Sequence, residues 1–180
     1  LLRQIKEARE WRWKKFQGKL YRDCTAFRYR KLPDRLEIVS RRRIGPELEA
    51  LLNNPDESFP GKDRVIKDGV TCTVWAVSVD GLPLVIKRYN TKGLWFAIRQ
   101  TIGQGRASIS WKNAYMLIFF GVYTPFPVAL LVQKNGFLQS QSYFITEAVV
   151  ERDASSWLQD NTLSQMEVAE VDRASQWFLK

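Results

Sequence analysis

Histidine is absent from the 180 residues and cysteine occurs twice. Without histidine no Ser–His or Cys–His pair can form within the chain, which excludes most hydrolase machinery built on those nucleophiles. Cys24 and Cys72 stand far apart with no metal-ligand spacing, so no zinc site is expected, and both read as reduced structural thiols of a cytoplasmic protein. No apolar run reaches the ~18 residues of a membrane span. The stretch from Tyr115 to Val132 is interrupted by Gly121, Pro125 and Pro127. Leu1-Leu2-Arg3 has no signal-peptide plan. A soluble or peripheral protein is expected. Internal repeats, Gly/Ser linkers and low-complexity tracts are missing too.

What is present is apolar and basic. A composition 45% hydrophobic and 13% aromatic, with seven tryptophans, requires a packed core, and the length fits one domain. The formal charge of +9 attracts anionic partners: nucleotides, nucleic acid, lipid headgroups or sugar phosphates. Much of the excess precedes residue 45, ending in the run Arg41-Arg42-Arg43. Solvated faces of ordinary structure explain such charge equally well.

Periodicity predicts a basic helix over 4–17, stopped by Gly18, then a hairpin of 26–31 and 35–39 across Pro33-Asp34. Pro46 opens a short helix to Leu52. Three antiparallel strands follow: 64–67, 71–79 and 82–89, the last two joined by the Asp80-Gly81 turn. A helix is expected over 107–120, with Gly121 ending it. A second hairpin, 128–132 with 141–149, turns at Asn135-Gly136. Helices are expected over 154–159 and 163–179. The order is strand, strand, strand, helix, strand, strand, helix.

That order gives Lys87 a meaning. It closes Val85-Ile86-Lys87 on the third strand, matching the end of the V-A-I-K pattern whose lysine meets the α/β-phosphates of ATP. Asp68-Gly69-Val70-Thr71 occupies the phosphate-covering turn, with one glycine where the protein-kinase pattern has three. A lysine at a strand end that simply reaches solvent is the plainer alternative. Leu84 to Asn90, Arg106-Ala107, Trp111-Lys112-Asn113-Ala114 and the run from Gly121 to Ala129 (GVYTPFPVA) resemble the bacterial lipopolysaccharide core kinase family, the heptose and Kdo kinases. The resemblance covers roughly residues 64–179.

The resemblance implies an α+β fold: a protein-kinase-like small lobe over 61–150, a basic N-terminal extension over 1–60, and the first helix of a large lobe over 151–180. It implies transfer of the γ-phosphate of ATP, with Mg²⁺, to a sugar hydroxyl of the lipopolysaccharide inner core, at the cytoplasmic face of the inner membrane. Lys87, Gly69, Val70 and Thr71 would meet the phosphates, and the backbone of Glu147, Ala148 and Val149 would meet adenine. Two features depart from the family. Residues 107–120 contain no carboxylate to pair with Lys87, and Ser110 stands where a glutamate is expected. The catalytic loop, with its base and metal-binding residues, would follow Lys180, so no catalytic or metal-binding residue is assigned and the 180 residues alone are expected to be inactive.

Lys92, Trp95, Phe96 and Arg99 join aromatic bulk to positive charge, as membrane-surface segments do, and the basic helix with Trp11 and Trp13 is a second candidate. Two other function classes remain open. One is a non-catalytic kinase-like scaffold. The other is a single-stranded nucleic-acid binder using the Trp, Phe and Tyr residues of the basic first third; it lacks any module pattern, so nucleic acid is not the expected partner.

Overall fold

The computed structural model describes residues 2–59, 65–90, 105–136 and 138–149. The chain divides into compact units Leu1–Ala148 and Val149–Lys180, and only the first falls largely within the described residues. The expected helices over 154–159 and 163–179, and the segment 92–99, lie outside them.

Among the described residues seven strands form one antiparallel sheet in the order β1-β2-β6-β7-β5-β4-β3. The strands are β1 (Phe27–Lys31), β2 (Arg35–Ser40), β3 (Val65–Gly69), β4 (Cys72–Val79), β5 (Leu82–Tyr89), β6 (Pro127–Asn135) and β7 (Leu138–Glu147). Helix α1 (Leu2–Gln17) precedes β1, α2 (Pro46–Asn53) follows β2, and α3 (Arg106–Phe119) lies between β5 and β6 in sequence. The strand-strand-strand-helix-strand-strand order is therefore observed from β3 to β7. The β4–β5 turn has positive φ at Asp80 and Gly81, 50° and 72°, as a two-residue hairpin requires.

The first sixty residues are built into the same sheet. β2 pairs with β6 from Arg35↔Gln133 to Val39↔Ala129, and β1 adds the edge strand. Strand alternation then fixes two cores on opposite faces. One face carries Trp75, Leu84, Ile86, Leu131, Tyr143 and Ile145 and is covered by Leu48, Leu51 and Leu52 of α2. The other carries Cys72, Tyr89, Leu130 and Val132 and is covered by Ala107, Trp111 and Tyr115 of α3, with Trp13 and Phe16 of α1 outside them. The register shifts between Pro127 and Ala129, which lets the adjacent Val128 and Ala129 join the same core.

Gly121 ends α3 as the sequence predicts. Its φ is +78°, its amide donates to the Ile118 carbonyl at 3.0 Å, and the Val122 amide reaches Leu117 at 2.9 Å. That is the glycine-terminated double closure of a helix C-terminus. Two short 3-10 turns, Arg41–Arg43 and Pro55–Ser58, were not apparent from periodicity. The second positions Asp56 beside β5.

Three buried phenols make the fold sensitive to base. Burial pushes Tyr21 up from 10.0 to about 12, with its hydroxyl donating to the Ser108 carbonyl at 3.0 Å. Burial also raises Tyr115, whose hydroxyl donates to the Pro127 carbonyl at 3.0 Å. Tyr143 is raised by burial and then by the Asp56 carboxylate, to which it donates at 3.0 Å. The unfolded chain releases these protons near pH ~10 while the folded chain keeps them, so this stability is complete below ~10 and falls as pH rises through 10 toward 12. We expect the thermal midpoint to drop steeply above pH ~10, with Tyr21, Tyr115 and Tyr143 keeping their protons in the folded chain at that pH. A flat midpoint, or ionisation of these three phenols in the folded chain near pH ~10, would contradict this.

Candidate nucleotide site

Lys87 sits near the middle of the sheet, opposite Val74 of β4 and Phe144 of β7. Alternation along β5 turns Leu84 and Ile86 toward α2, and Lys87 and Tyr89 toward α3. The Lys87 ammonium lies 5.2 Å from the centroid of the Tyr89 ring, two residues along the same face. That distance is within cation–π range. The Tyr89 hydroxyl meets the Ser110 hydroxyl of α3 at 2.7 Å. Ser110 thus stands where a carboxylate partner for Lys87 was sought, and its link to the lysine runs through the Tyr89 ring. This ring is 4% exposed, so its orientation is fixed.

The two-residue turn Val70-Thr71 joins β3 to β4, and both residues are exposed. Register pairs Cys72 with Tyr89 and Val74 with Lys87, which puts the turn just beyond the Tyr89 end of β5. Asn90 fastens it there: its amide donates to the Thr71 carbonyl at 3.2 Å and its side-chain NH₂ to the Gly69 carbonyl at 3.3 Å. Gly69 has a packing reason for being glycine, since a Cβ would lie 3.1 Å from the Cys72 carbonyl oxygen.

Glu147 lies at the other end of β5, opposite Leu84. Its amide donates to the Phe126 carbonyl and that of Ala148 to the Pro83 carbonyl, each at 2.9 Å. The Glu147 carboxylate is held by Arg43 at 2.6 Å. From the Leu84–Glu147 pair to the Tyr89–Cys72 end is five residues of strand, roughly 17 Å. The sequence-predicted residues of the first unit thus line one strand direction: 147–148 at one end, Lys87 within, and the 70–71 turn at the other.

Arg88, next to Lys87, points the opposite way. It pairs with Asp56 at 3.0 Å and lies over the rings of Phe59 and Trp75, a structural anchor on the α2 face. A shallow pocket of about 260 Å³, lined by Arg42, Gly45, Leu48, Asp80 and Leu84 among others, also opens on that face, away from Lys87. Neither the place of Tyr89 beside Lys87 nor the approach of Arg106 to it was apparent from sequence. The Arg106 guanidinium also lies 5.2 Å from the Tyr89 centroid. An aromatic residue two positions past a strand lysine is a usable signal; the approach of Arg106 is long-range and has none.

The basic first third is largely used by the fold. Trp13 packs on Phe16, Phe119 and Phe120, and Phe27 on Trp111 and Tyr115. Trp11 alone of the two α1 tryptophans faces outward, at 62% exposure. Stacking platforms for single-stranded nucleic acid are correspondingly few here. The Lys92–Arg99 surface lies outside the described residues. No helix among the described residues is long and apolar enough to cross a membrane.

No family model matches the chain, and no curated protein matches it. One solved structure is similar. Described as WaaP in complex with acyl carrier protein, it shares 20% identity with a TM-score of 0.37, over 65% of this chain. This chain spans 44% of the length of that one.

Proposed function

We propose that residues 65–149 are the nucleotide-binding lobe of an ATP-dependent phosphotransferase. The observation that carries this reading is Lys87: a lysine on the third of three antiparallel strands, on the face of the helix that follows, in line with the 147–148 backbone and the 70–71 turn. Its ammonium would neutralise charge on the α- and β-phosphates. Tyr89 fixes where that charge sits, because the ring is tied to Ser110. Among the described residues no three His, Cys, Asp or Glu side chains come together to hold a metal. Mg²⁺ would accompany the nucleotide, and no step is assigned to it.

The acceptor class rests on the resemblance of residues 84–90, 106–107, 111–114 and 121–129 to the lipopolysaccharide core kinases. It would be a sugar hydroxyl of a membrane glycolipid, reached from the cytoplasmic face. A second reading, a kinase-like module that binds nucleotide without transferring phosphate, is favoured by the tyrosine and serine that stand in place of the carboxylate partner.

Mg-ATP at about 100 times its Kd should stabilise the chain by ~2.7 kcal/mol, read as a rise of several degrees in the thermal midpoint. A single-stranded oligonucleotide should give no comparable rise. No response to Mg-ATP together with a response to the oligonucleotide would overturn the reading. Phosphate transfer to lipopolysaccharide core, assayed on a chain that includes the catalytic loop, separates the enzyme from the silent module.

A further inference from the structure

Between Asp80 and Glu147 the sequence contains no aspartate and no glutamate, while seven lysines and arginines fall in that stretch. The stretch supplies β5, α3, β6 and most of β7, hence the strand and helix that surround Lys87. Charge of one sign gathered in one part of a fold is unfavourable until something anionic neutralises it. Arg88 shows the ordinary solution, turning to the other face to pair with Asp56. Lys87 and Arg106 do not follow it. Among the described residues neither forms an ion pair with a carboxylate. Residues 91–104, which join β5 to α3 in sequence, contain no aspartate or glutamate either.

Instead both cations converge on one aromatic ring, each 5.2 Å from the Tyr89 centroid, so their charged atoms are at most twice that distance apart. Tyr89 is buried and tied to Ser110, which makes it a fixed reference for both. Arg106 is exposed and opens α3, whose first turn has no acidic residue to draw it away. Opposite Tyr89 in register, Ser142 carries a buried hydroxyl with no partner among the described residues. Two cations held on one ring, neither with a carboxylate partner among the described residues, suit a ligand with several linked negative charges. The guanidinium fork takes two phosphate oxygens and the ammonium acts as a point charge.

We propose that Arg106 is a second anion-binding residue that works with Lys87 as a two-cation clamp, set by the Tyr89 ring, for a polyphosphate chain. The identity of that chain as the phosphates of a nucleotide rests on the function proposed above; the clamp itself does not. In this arrangement Arg106 provides from α3 a positive contact to the ligand, and among the described residues no carboxylate competes for the lysine.

The test is a titration of the whole 180-residue chain, followed by tryptophan fluorescence, with inorganic tripolyphosphate and separately with ATP, ADP and AMP. Tripolyphosphate should bind, weaken with added salt, and compete with ATP. Arg106→Gln should weaken tripolyphosphate about tenfold or more, as loss of a charge-assisted contact does, and Arg106→Lys should recover part of it. Lys87→Gln should weaken it as well, and the double substitution further still. Because Arg106 is exposed, the melting midpoint of Arg106→Gln without ligand should match the parent chain. Tripolyphosphate binding that depends on Arg106, with ATP binding no tighter, would uphold the clamp and refute the nucleotide reading. ATP and tripolyphosphate binding undiminished in Arg106→Gln would overturn the clamp and leave the nucleotide reading standing.

Discussion

Replacing Trp111 with alanine is expected to lower the unfolding free energy by about 3–5 kcal/mol. The side chain is fully buried, with ring centroids 4.7 Å from Tyr115 and 5.7 Å from Phe27. Its indole N–H donates to the Leu20 carbonyl at 3.4 Å, joining α3 to the segment between α1 and β1. Truncation removes the ring contacts, opens a cavity, and strands that carbonyl without its donor. Trp111→Phe keeps most of the volume but loses the N–H and part of the bicyclic ring, so it should cost less than the alanine variant, about 1–3 kcal/mol. Because Ser110 and Arg106 ride on the same helix, the alanine variant should also loosen the Tyr89 cluster. Urea unfolding measures both variants. A loss under ~1 kcal/mol for Trp111→Ala would mean that α3 is held by something other than this residue.

Lys87→Ala should behave in the opposite way, leaving stability nearly intact while removing the nucleotide response. The lysine is partly exposed, and its partner is an aromatic face, a contact contributing about 0.5–1 kcal/mol at such sites. Against a phosphate the same ammonium makes charge-assisted hydrogen bonds of about 1.5–3 kcal/mol, so Mg-ATP should bind tenfold to a hundredfold more weakly. Lys87→Arg keeps the charge with a different reach and should retain part of the affinity. Isothermal titration reads all three chains. Equal affinity for parent and Lys87→Ala would remove Lys87 from the site.

The strand that carries Lys87 was legible because its signals are local. Asp80-Gly81 demands a two-residue hairpin, and β-branched residues on one arm and apolar residues on the other set the register that the structure shows. Gly121 was legible for the same reason, as the one residue type that accepts φ of +78° without strain. The joining of β2 to β6 was not, because those partners are far apart in sequence and a strand edge carries no address for a distant mate. Pro127 to Asn135 runs longer than the expected 128–132, since Gln133 finds a partner in Arg35, and the Lys134 amide one in the Asp34 carbonyl, that local pattern does not reveal. Trp11 and Trp13 looked alike in sequence. Two positions apart on a helix they face opposite sides, and only the packing of α1 decides which is inward.

The site divides along the same line. Lys87 and the 70–71 turn follow from strand order, whereas the Tyr89–Ser110 link and the approach of Arg106 depend on how α3 lies across β5. Ser110 was visible as the wrong residue in the place of a glutamate; that its hydroxyl would fix the ring under the lysine was not. A serine in that position leaves the Tyr89 ring, and not a carboxylate, as the neighbour of Lys87 among the described residues.

The most direct measurement is an amide NMR titration of the isotopically labelled chain with Mg-ATP. The account predicts shift changes along β5, at Lys87 and Tyr89, at Val70 and Thr71, and at Ala148 and Val149, with Leu51 and Leu52 of α2 unmoved. Changes confined to α1, or to the pocket of Arg42, Gly45 and Asp80 on the opposite face, would contradict it.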